Sequence, residues 1–449
     1  MDTPAPEVLE KIRQQFDTAP YPRVPLEKSP KGDYSALYIH NLLTPYYLKH
    51  QRVIETGGKM ILDAGCGSGW KSLTLAEANP GAQIVGIDIS EESIELARQR
   101  LQYHGFDNVE FHVLAIDALP KLGLKFDYIN CDEVLYLLPG RDPSVGLKAF
   151  KSVLQPQGII RTNLHSSLQR VYYFRAQELF KSMGLLDNNP GALEVEIVIE
   201  TMKALKDQVE VKAKTWQPKY EQIDNSDEVI FMNYLFQGDQ GYTIPEMFTA
   251  LKSADLELIS MVEWRRWELM DLFKDPEDLP AVWAMGLPEL SVEERLRLFE
   301  LIHPIHRLLD FWCTHPHAEE EPTPVAAWEA SDWQTAWVHL HPQLQVEAIK
   351  TDLIAAVKNQ QPFEISRYIT LPTTTPIVLD TLAAASLIPL WEGKQPFTSL
   401  VSRWHQLRPL DALTLEPVTP ETAFEEVRQN LIKLESFLYV LVEKATLGS

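Results

Sequence analysis

The run Asp63-Ala64-Gly65-Cys66-Gly67-Ser68-Gly69 sits directly after a short apolar segment and before an amphipathic one. No other feature restricts the fold as much. Glycines between a strand and a helix let the backbone turn tightly and approach a bound ligand closely. The apolar segment before the loop, Met60–Asp63, predicts the first strand. Further strands are predicted at Gln83–Asp88, Val109–Val113, Phe126–Cys131 and Gly158–Leu164, with helical stretches between them. Alternation of this kind signals βαβ units around a parallel sheet. The clearest helix starts after Ser90, an N-cap residue followed by Glu91 and Glu92 in the first turn. Ile94, Ala97 and Leu101 give it one apolar face.

Three carboxylates take up positions a nucleoside site would need. Asp88 ends the second strand, where a carboxylate can accept both ribose hydroxyls. Asp117 follows the third strand and can accept from an adenine amino group, and Asp127 opens the fourth. Dinucleotide sites use G-x-G-x-x-G, whose helix N-terminus holds a pyrophosphate. This loop is G-x-G-x-G with an acid, Asp63, just before it. An acid there suits an ammonium group and would repel a pyrophosphate.

With these motifs the chain resembles the class I methyltransferases that depend on S-adenosylmethionine (AdoMet), over Tyr21 to Trp267. It is most similar to bacterial methyltransferases often fused to tetratricopeptide repeats. The shared pieces are Pro20-Tyr21-Pro22-Arg23, the stretch Glu133-Val134-Leu135-Tyr136-Leu137-Leu138, and Gly158 to Ser166 (GIIRTNLHS). Tyr136-Leu137 departs from the His-His that some members carry. The resemblance implies a Rossmann-like α/β sheet with a helical insertion and a mostly helical C-terminal domain. It also implies AdoMet as cofactor and S-adenosylhomocysteine (AdoHcy) as product. Gly65, Cys66, Gly67 and Gly69 would face AdoMet, with Asp63 toward its ammonium. Asp88 and Ile89 would hold the ribose, and Asp117 and Ala118 would frame the adenine. Cys131 and Asp132 would lie beside the methionine end. Tyr21 and Arg23 would close over the cofactor, Arg23 pairing with its carboxylate.

Methyl transfer needs a positioned nucleophile and the exclusion of water. A base is required only when the nucleophile must lose a proton. Glu133, Tyr136, Asn163 and His165 are the catalytic candidates, because open α/β sheets bind ligands at the C-terminal ends of their strands. The Asn-Pro-Pro-Tyr signature of many amide and amine methyltransferases is absent; Asn130-Cys131-Asp132-Glu133 stands in its place. The cluster His303, His306, Cys313, His315 and His317 has the ligand types of a zinc site but not the spacing, so no metal is expected.

The formal net charge of −22 opposes nucleic-acid partners, which are bound by neutralising phosphates. No apolar run approaches the roughly 20 residues that span a bilayer. Met1 to Phe16 has no secretory core, and Cys66, Cys131 and Cys313 are widely spaced, so reduced thiols and a cytoplasmic location are expected. At 449 residues the chain should hold roughly two or three domains. We expect a helical N-terminal lid over residues 1–55 and the methyltransferase domain over 56–275, with an insertion at about 166–243 in which Leu168 to Met183 is helical and Pro190 to Gln222 irregular and charged. A helical connector (276–323) and a helical accessory domain (324–449) complete the division. His306 to Phe311 reads as helix, as does Ala36 to Gln51. The crowding of Trp264, Trp267, Trp312, Trp328, Trp333 and Trp337 suits core packing and an interdomain seam. The large accessory regions favour a protein side chain as methyl acceptor, an asparagine amide as in the cyanobacterial phycobiliprotein methyltransferases being one case. A small metabolite, or AdoMet sensing without turnover, are the alternatives.

Overall fold

The computed structural model describes residues 10, 13, 14, 16, 17, 20–138, 140–217, 220, 226–316, 322–371 and 375–445. Strands β1 (Met60–Ala64), β2 (Gln83–Asp88), β3 (Val109–Val113), β4 (Phe126–Cys131) and β5 (Leu154–Ser166) are parallel, in the order β3-β2-β1-β4-β5. Their sequences alternate little, because helices bury both faces of such a sheet. Between them run α3 (Trp70–Ala78), α4 (Glu91–Tyr103) and α5 (Pro143–Val153), preceded in the chain by α1 (Tyr34–His40) and α2 (Leu43–His50). Ser90 caps α4 by accepting from the Ser93 amide at 3.1 Å. The order reverses between β1 and β4, so the crevice at their C-terminal ends is the expected ligand position.

Past β5 the chain forms α6 (Val171–Ser182), α7 (Ala192–Ala204), α8 (Glu210–Thr215) and α9 (Ser226–Tyr234). The helix expected at Leu168–Met183 is present as α6, whereas Pro190–Gln222, expected to be irregular, holds α7 and α8. Val195, Val198 and Met202 bury one face of α7 against Phe180 and Tyr234, and that satellite core stabilises helices whose charged outer faces hide the period. A short strand, β6 (Gly241–Tyr242), pairs with the end of β5. After it come α10 (Ile244–Ser253), β7 (Glu257–Met261), α11 (Ala281–Gly286), α12 (Val292–Ile302) and β8 (Leu308–Thr314).

β8 corrects two expectations. His306–Phe311 is not helical, and the sheet does not finish before residue 276. β8 inserts antiparallel between β5 and β7, pairing His165 with Leu308 and Ile159 with Thr314. Its Leu309, Phe311, Trp312 and Cys313 are buried, which only a central strand allows.

The C-terminal region is mostly helical around a small antiparallel sheet. It contains α13 (Ala330–Gln334), β9 (Ala336–Leu340), α14 (Glu347–Lys358), β10 (Phe363–Glu364), β11 (Val378–Leu379), α15 (Thr381–Leu387), β12 (Gln395–Pro396), α16 (Phe397–Leu407), α17 (Pro420–Glu435) and β13 (Val440–Lys444). β9 lies between β12 and β13. Trp328 and Trp333 are buried in this core, while Trp312 is buried in the main sheet.

Residues 34–50 do not form a lid. Asn41 separates two helices by leaving helical conformation and donating its side chain to the Ala78 carbonyl at 2.6 Å. Tyr38 and Tyr47 then bury into the C-terminal core, their hydroxyls donating to the Phe437 and Val442 carbonyls, both at 2.8 Å. These helices are a seam between the sheet and the C-terminal region. Residues 1–9, 11, 12, 15, 18 and 19 of the expected lid and residues 317–321 of the expected connector lie outside the described residues.

Candidate functional site

A cavity of about 660 Å³ lies over the C-terminal ends of β1, β2 and β4, within the range of small-molecule sites. Gly65, Cys66, Gly67, Asp88, Ile89, Asp117, Asp132 and Glu133 line it. Tyr21, Pro22 and Val24 of the N-terminal arm close one side, with Phe16, Met232 and Phe236.

The loop geometry follows from its glycines. Gly69 has φ +79°, and a Cβ there would stand 2.7 Å from the Ala97 Cα of α4, so only glycine lets α3 start this close to α4. Gly69 therefore packs helices and does not line the cavity. The N-terminal arm straps onto the loop: Ser68 donates its amide to the Tyr21 carbonyl (2.9 Å) and its hydroxyl to the Pro22 carbonyl (2.8 Å). Arg100, fully buried, donates to the carbonyls of Ser68, Val24 and Pro25 and fixes both pieces.

Asp88 accepts from the Gly67 amide through Oδ2 and from the Ser90 amide through Oδ1, each at 2.9 Å. Burial pushes its carboxyl up from the ordinary value, against those amide bonds. It stands in the cavity wall with unused acceptor capacity. Asp117 sits in the 3-10 turn Ile116–Leu122 and also faces the cavity; Ala118 shares the turn without lining it.

Three expected contacts fall elsewhere. Asp63 is buried beneath the loop, accepting from Ser72 Oγ (2.7 Å) and Asn130 Nδ2 (2.9 Å), so it braces the loop and does not reach an ammonium. Cys131 is buried in the core and Arg23 turns away from the cavity. The Arg23 guanidinium donates to Asp227 at 2.6 Å and its amide to Glu228 at 3.0 Å, because the start of α9 offers the nearer carboxylates. Burial raises Asp63 to about 6, more than Ser72 and Asn130 lower it. A folded-state pKa above the ordinary 3.8 adds stability below about pH 4 that is lost as pH rises through 6. Asp63→Asn, neutral throughout, should gain on wild type by on the order of 3 kcal/mol between pH 4 and pH 7 in urea unfolding. A difference that stays flat over that interval would contradict this assignment.

At the far end, Asp132 and Glu133 face the cavity at the C-terminus of β4. Burial opposes an ionised Asp132, but Lys71 at 2.7 Å and Arg161 at 3.7 Å hold it well below the carboxylate range. Glu133 has φ +59°, a conformation costing a non-glycine residue about 1–3 kcal/mol. Two contacts impose it. Its amide donates to Asn163 Oδ1 at 2.8 Å, and its carboxylate receives both Arg307 terminal nitrogens at 3.1 and 2.6 Å. Asn163 also donates to Asp132 Oδ1 at 2.5 Å.

Tyr136 and His165 do not line the cavity. Both are buried behind it, their rings stacked with centroids 4.0 Å apart. His165 Nδ1 bonds Asp239 Oδ1 at 2.6 Å, and Nε2 lies 3.2 Å from an Arg307 nitrogen. An ionised carboxylate only accepts and a guanidinium only donates, so His165 is neutral with its proton on Nδ1. Burial lowers its pKa, which agrees. With both nitrogens committed, it positions Arg307 and is not a free base.

Lys71, Arg161, Asp239 and Arg307 were not anticipated. Arg161 had a signal, a lone charge inside the apolar run Gly158–Leu164. Arg307 had none, since only β8 brings it to Glu133. Among the described residues no group of three or more His, Cys, Asp or Glu is placed to hold a metal. His306 instead stacks on Trp267 at 4.3 Å; His317 is outside the described residues. No described helix is long and apolar enough to cross a membrane.

Residues 55–228 match the family model described as "Methyltransferase domain". An uncharacterized Synechococcus protein is 26% identical over 330 residues, 72% of this chain and 75% of that one. The ubiquinone biosynthesis O-methyltransferase of Actinobacillus pleuropneumoniae is 31% identical over 136 residues, 29% of this chain and 56% of its own length. This chain thus spans about half of that enzyme. PKMT2 from Rickettsia typhi, solved in complex with AdoHcy, superposes with a TM-score of 0.59 at 16% identity, over 91% of this chain and 76% of that one. The likeness is one of fold. The chain carries a class I methyltransferase domain of the AdoMet-dependent type.

Proposed function

We propose that the chain transfers a methyl group from AdoMet to a side chain of a protein. AdoMet, when bound, supplies a methyl group on a positively charged sulfur. The carrying observation is the cavity itself. Asp88 at the end of β2 and Asp117 after β3 line the cavity together with Ile89, where ribose and adenine would be held, and Gly65 and Gly67 present bare backbone. Asp132 and Glu133, held by Lys71 and Arg307, mark the end where the methyl and the acceptor would meet. Tyr21 closes the arm over this end, Phe16, Met232 and Phe236 exclude water, and Asn163 and His165 act by orienting Glu133 and Arg307.

A protein acceptor is supported by the architecture around that end. The C-terminal region is tied to the domain through Tyr38 and Tyr47, and the fold shared with PKMT2 includes it. A small-molecule acceptor is the second reading, favoured by the apolar roof of Phe16, Met232 and Phe236, and by the relationship to ubiquinone O-methyltransferases. Incubation of methyl-tritiated AdoMet with the full chain and source-cell extract separates the two. Label on protein is the expected result; label confined to small molecules would overturn the protein reading.

A further inference from the structure

A second cavity, of about 270 Å³, lies over β7 and β8, beside the first along the same sheet edge. Val262, Glu263, Arg266, Arg307 and Asp310 line it, and Ile305 stands at its wall. Three observations tie it to the methyltransferase site.

The partition between the two cavities is a side-chain pair. Arg307 lines the second cavity, and its guanidinium ends on Glu133, which lines the first. The Arg307 and Glu133 side chains are 44% and 26% exposed, so solvent and an incoming chain can reach the pair.

A buried polar belt joins the glycine loop to the second cavity. Ser72 donates to Asp63 and Asn130 donates to Asp63; Arg161 donates to Asn130 (3.0 Å), to His40 Nε2 (2.9 Å) and to Asp310 Oδ2 (2.7 Å). Two atoms of this belt are left over, Arg161 Nε and, at its end in the second cavity, an oxygen of Asp310. Asp310 Oδ1 is buried and has no hydrogen-bond partner. Burying an acceptor unpaired is unfavourable, so this oxygen is placed to receive a donor arriving in the cavity.

The surface leading to it is apolar. Leu301, Ile302 and Ile305, at the end of α12 and just beyond, are 58%, 49% and 50% exposed. Three large apolar side chains within five residues, beside a cavity with a polar end, form a surface that would gain by being covered.

We propose that the second cavity is the acceptor's entrance, taking an extended peptide segment of the substrate protein. Apolar residues of the segment cover Leu301, Ile302 and Ile305. Its acceptor side chain ends in N–H donors that Asp310 Oδ1 receives before Arg307 yields Glu133. The inference rests on the protein-acceptor reading. It adds the acceptor's chemistry, a nitrogen, and its neighbours, an apolar peptide.

The test uses the full chain, methyl-tritiated AdoMet and source-cell extract at fixed dilution, with the labelled atom located by mass spectrometry. Leu301→Ser/Ile305→Ser should lower transfer to protein at least tenfold while AdoHcy affinity by calorimetry stays unchanged. Leu301→Met/Ile305→Val should keep transfer within twofold, which separates docking from folding. The methyl should reside on a side-chain nitrogen flanked by apolar residues. Undiminished transfer by the serine variant, or a methyl on oxygen or sulfur, would overturn the entrance while leaving the protein reading standing. Label found only in small molecules would overturn both.

Discussion

Gly67→Val should abolish AdoHcy binding, by at least a hundredfold, in a chain that remains folded. Gly67 has φ +50°, a region that β-branched side chains enter only under strain. A Cβ there would stand 2.3 Å from the Tyr21 carbonyl oxygen, which is backbone and cannot rotate away. Something must move, and the arm's stretch at Tyr21 and Pro22, held to the loop by the two Ser68 bonds, is the part that can. Expelling it opens one wall of the cavity. The same substitution twists the Gly67 amide off Asp88, loosening the carboxylate expected to take the ribose. A hundredfold loss is about 3 kcal/mol, well within what a lost wall and a lost charged hydrogen bond can supply. The core beneath, Leu62, Val85 and Ile87, is untouched, so the circular dichroism spectrum should match wild type. Normal AdoHcy affinity in a folded variant would show that the ligand does not lie over this loop.

Asn163→Ala should cut methyl transfer by roughly a hundredfold while weakening AdoHcy less than tenfold, taking about 1–3 kcal/mol for each buried polar group left unpaired. Its amide serves two groups at once, donating to Asp132 and accepting from the Glu133 amide. Without it, Asp132 Oδ1 loses a donor and the left-handed turn at Glu133 loses one of its two restraints. Glu133 can then relax toward ordinary backbone angles and carry its carboxylate away from the methyl end. Asp88 and Asp117, expected to hold ribose and adenine, share no bond with Asn163. Initial rates of label transfer, set beside calorimetry, measure the split. Equal losses in both would place Asn163 in cofactor binding and not in arranging the acceptor end.

The parts of this molecule that were legible in its sequence are those with local causes. β2, β3 and β4 start and stop where the apolar runs do, and Ser90 caps the helix it was expected to cap. Asp88 and Asp117 reach the cavity because one ends β2 and the other lies in the turn that follows β3. What failed depended on distant partners. Leu308–Thr314 is a short apolar run, and periodicity alone does not separate a buried strand from a helix. Its pairing with β5 decides the matter, and that pairing also delivers Arg307 to Glu133 across the fold. Asp63 was assigned to a ligand because a carboxylate before a glycine loop suits a cation. The structure gives it two internal donors, Ser72 and Asn130, and Asn130 comes from a neighbouring strand. His165 looked like a base at a strand end. Asp239, delivered by the insertion, and Arg307 occupy both of its nitrogens.

Calorimetric titration of AdoHcy into the wild-type chain and into Asp88→Ala tests the central claim most directly. One-to-one binding by wild type, weakened ten- to a hundredfold in the variant (about 1.5–3 kcal/mol), is the predicted result. Failure of the wild-type chain to bind AdoHcy, or binding that Asp88→Ala leaves unchanged, would contradict it.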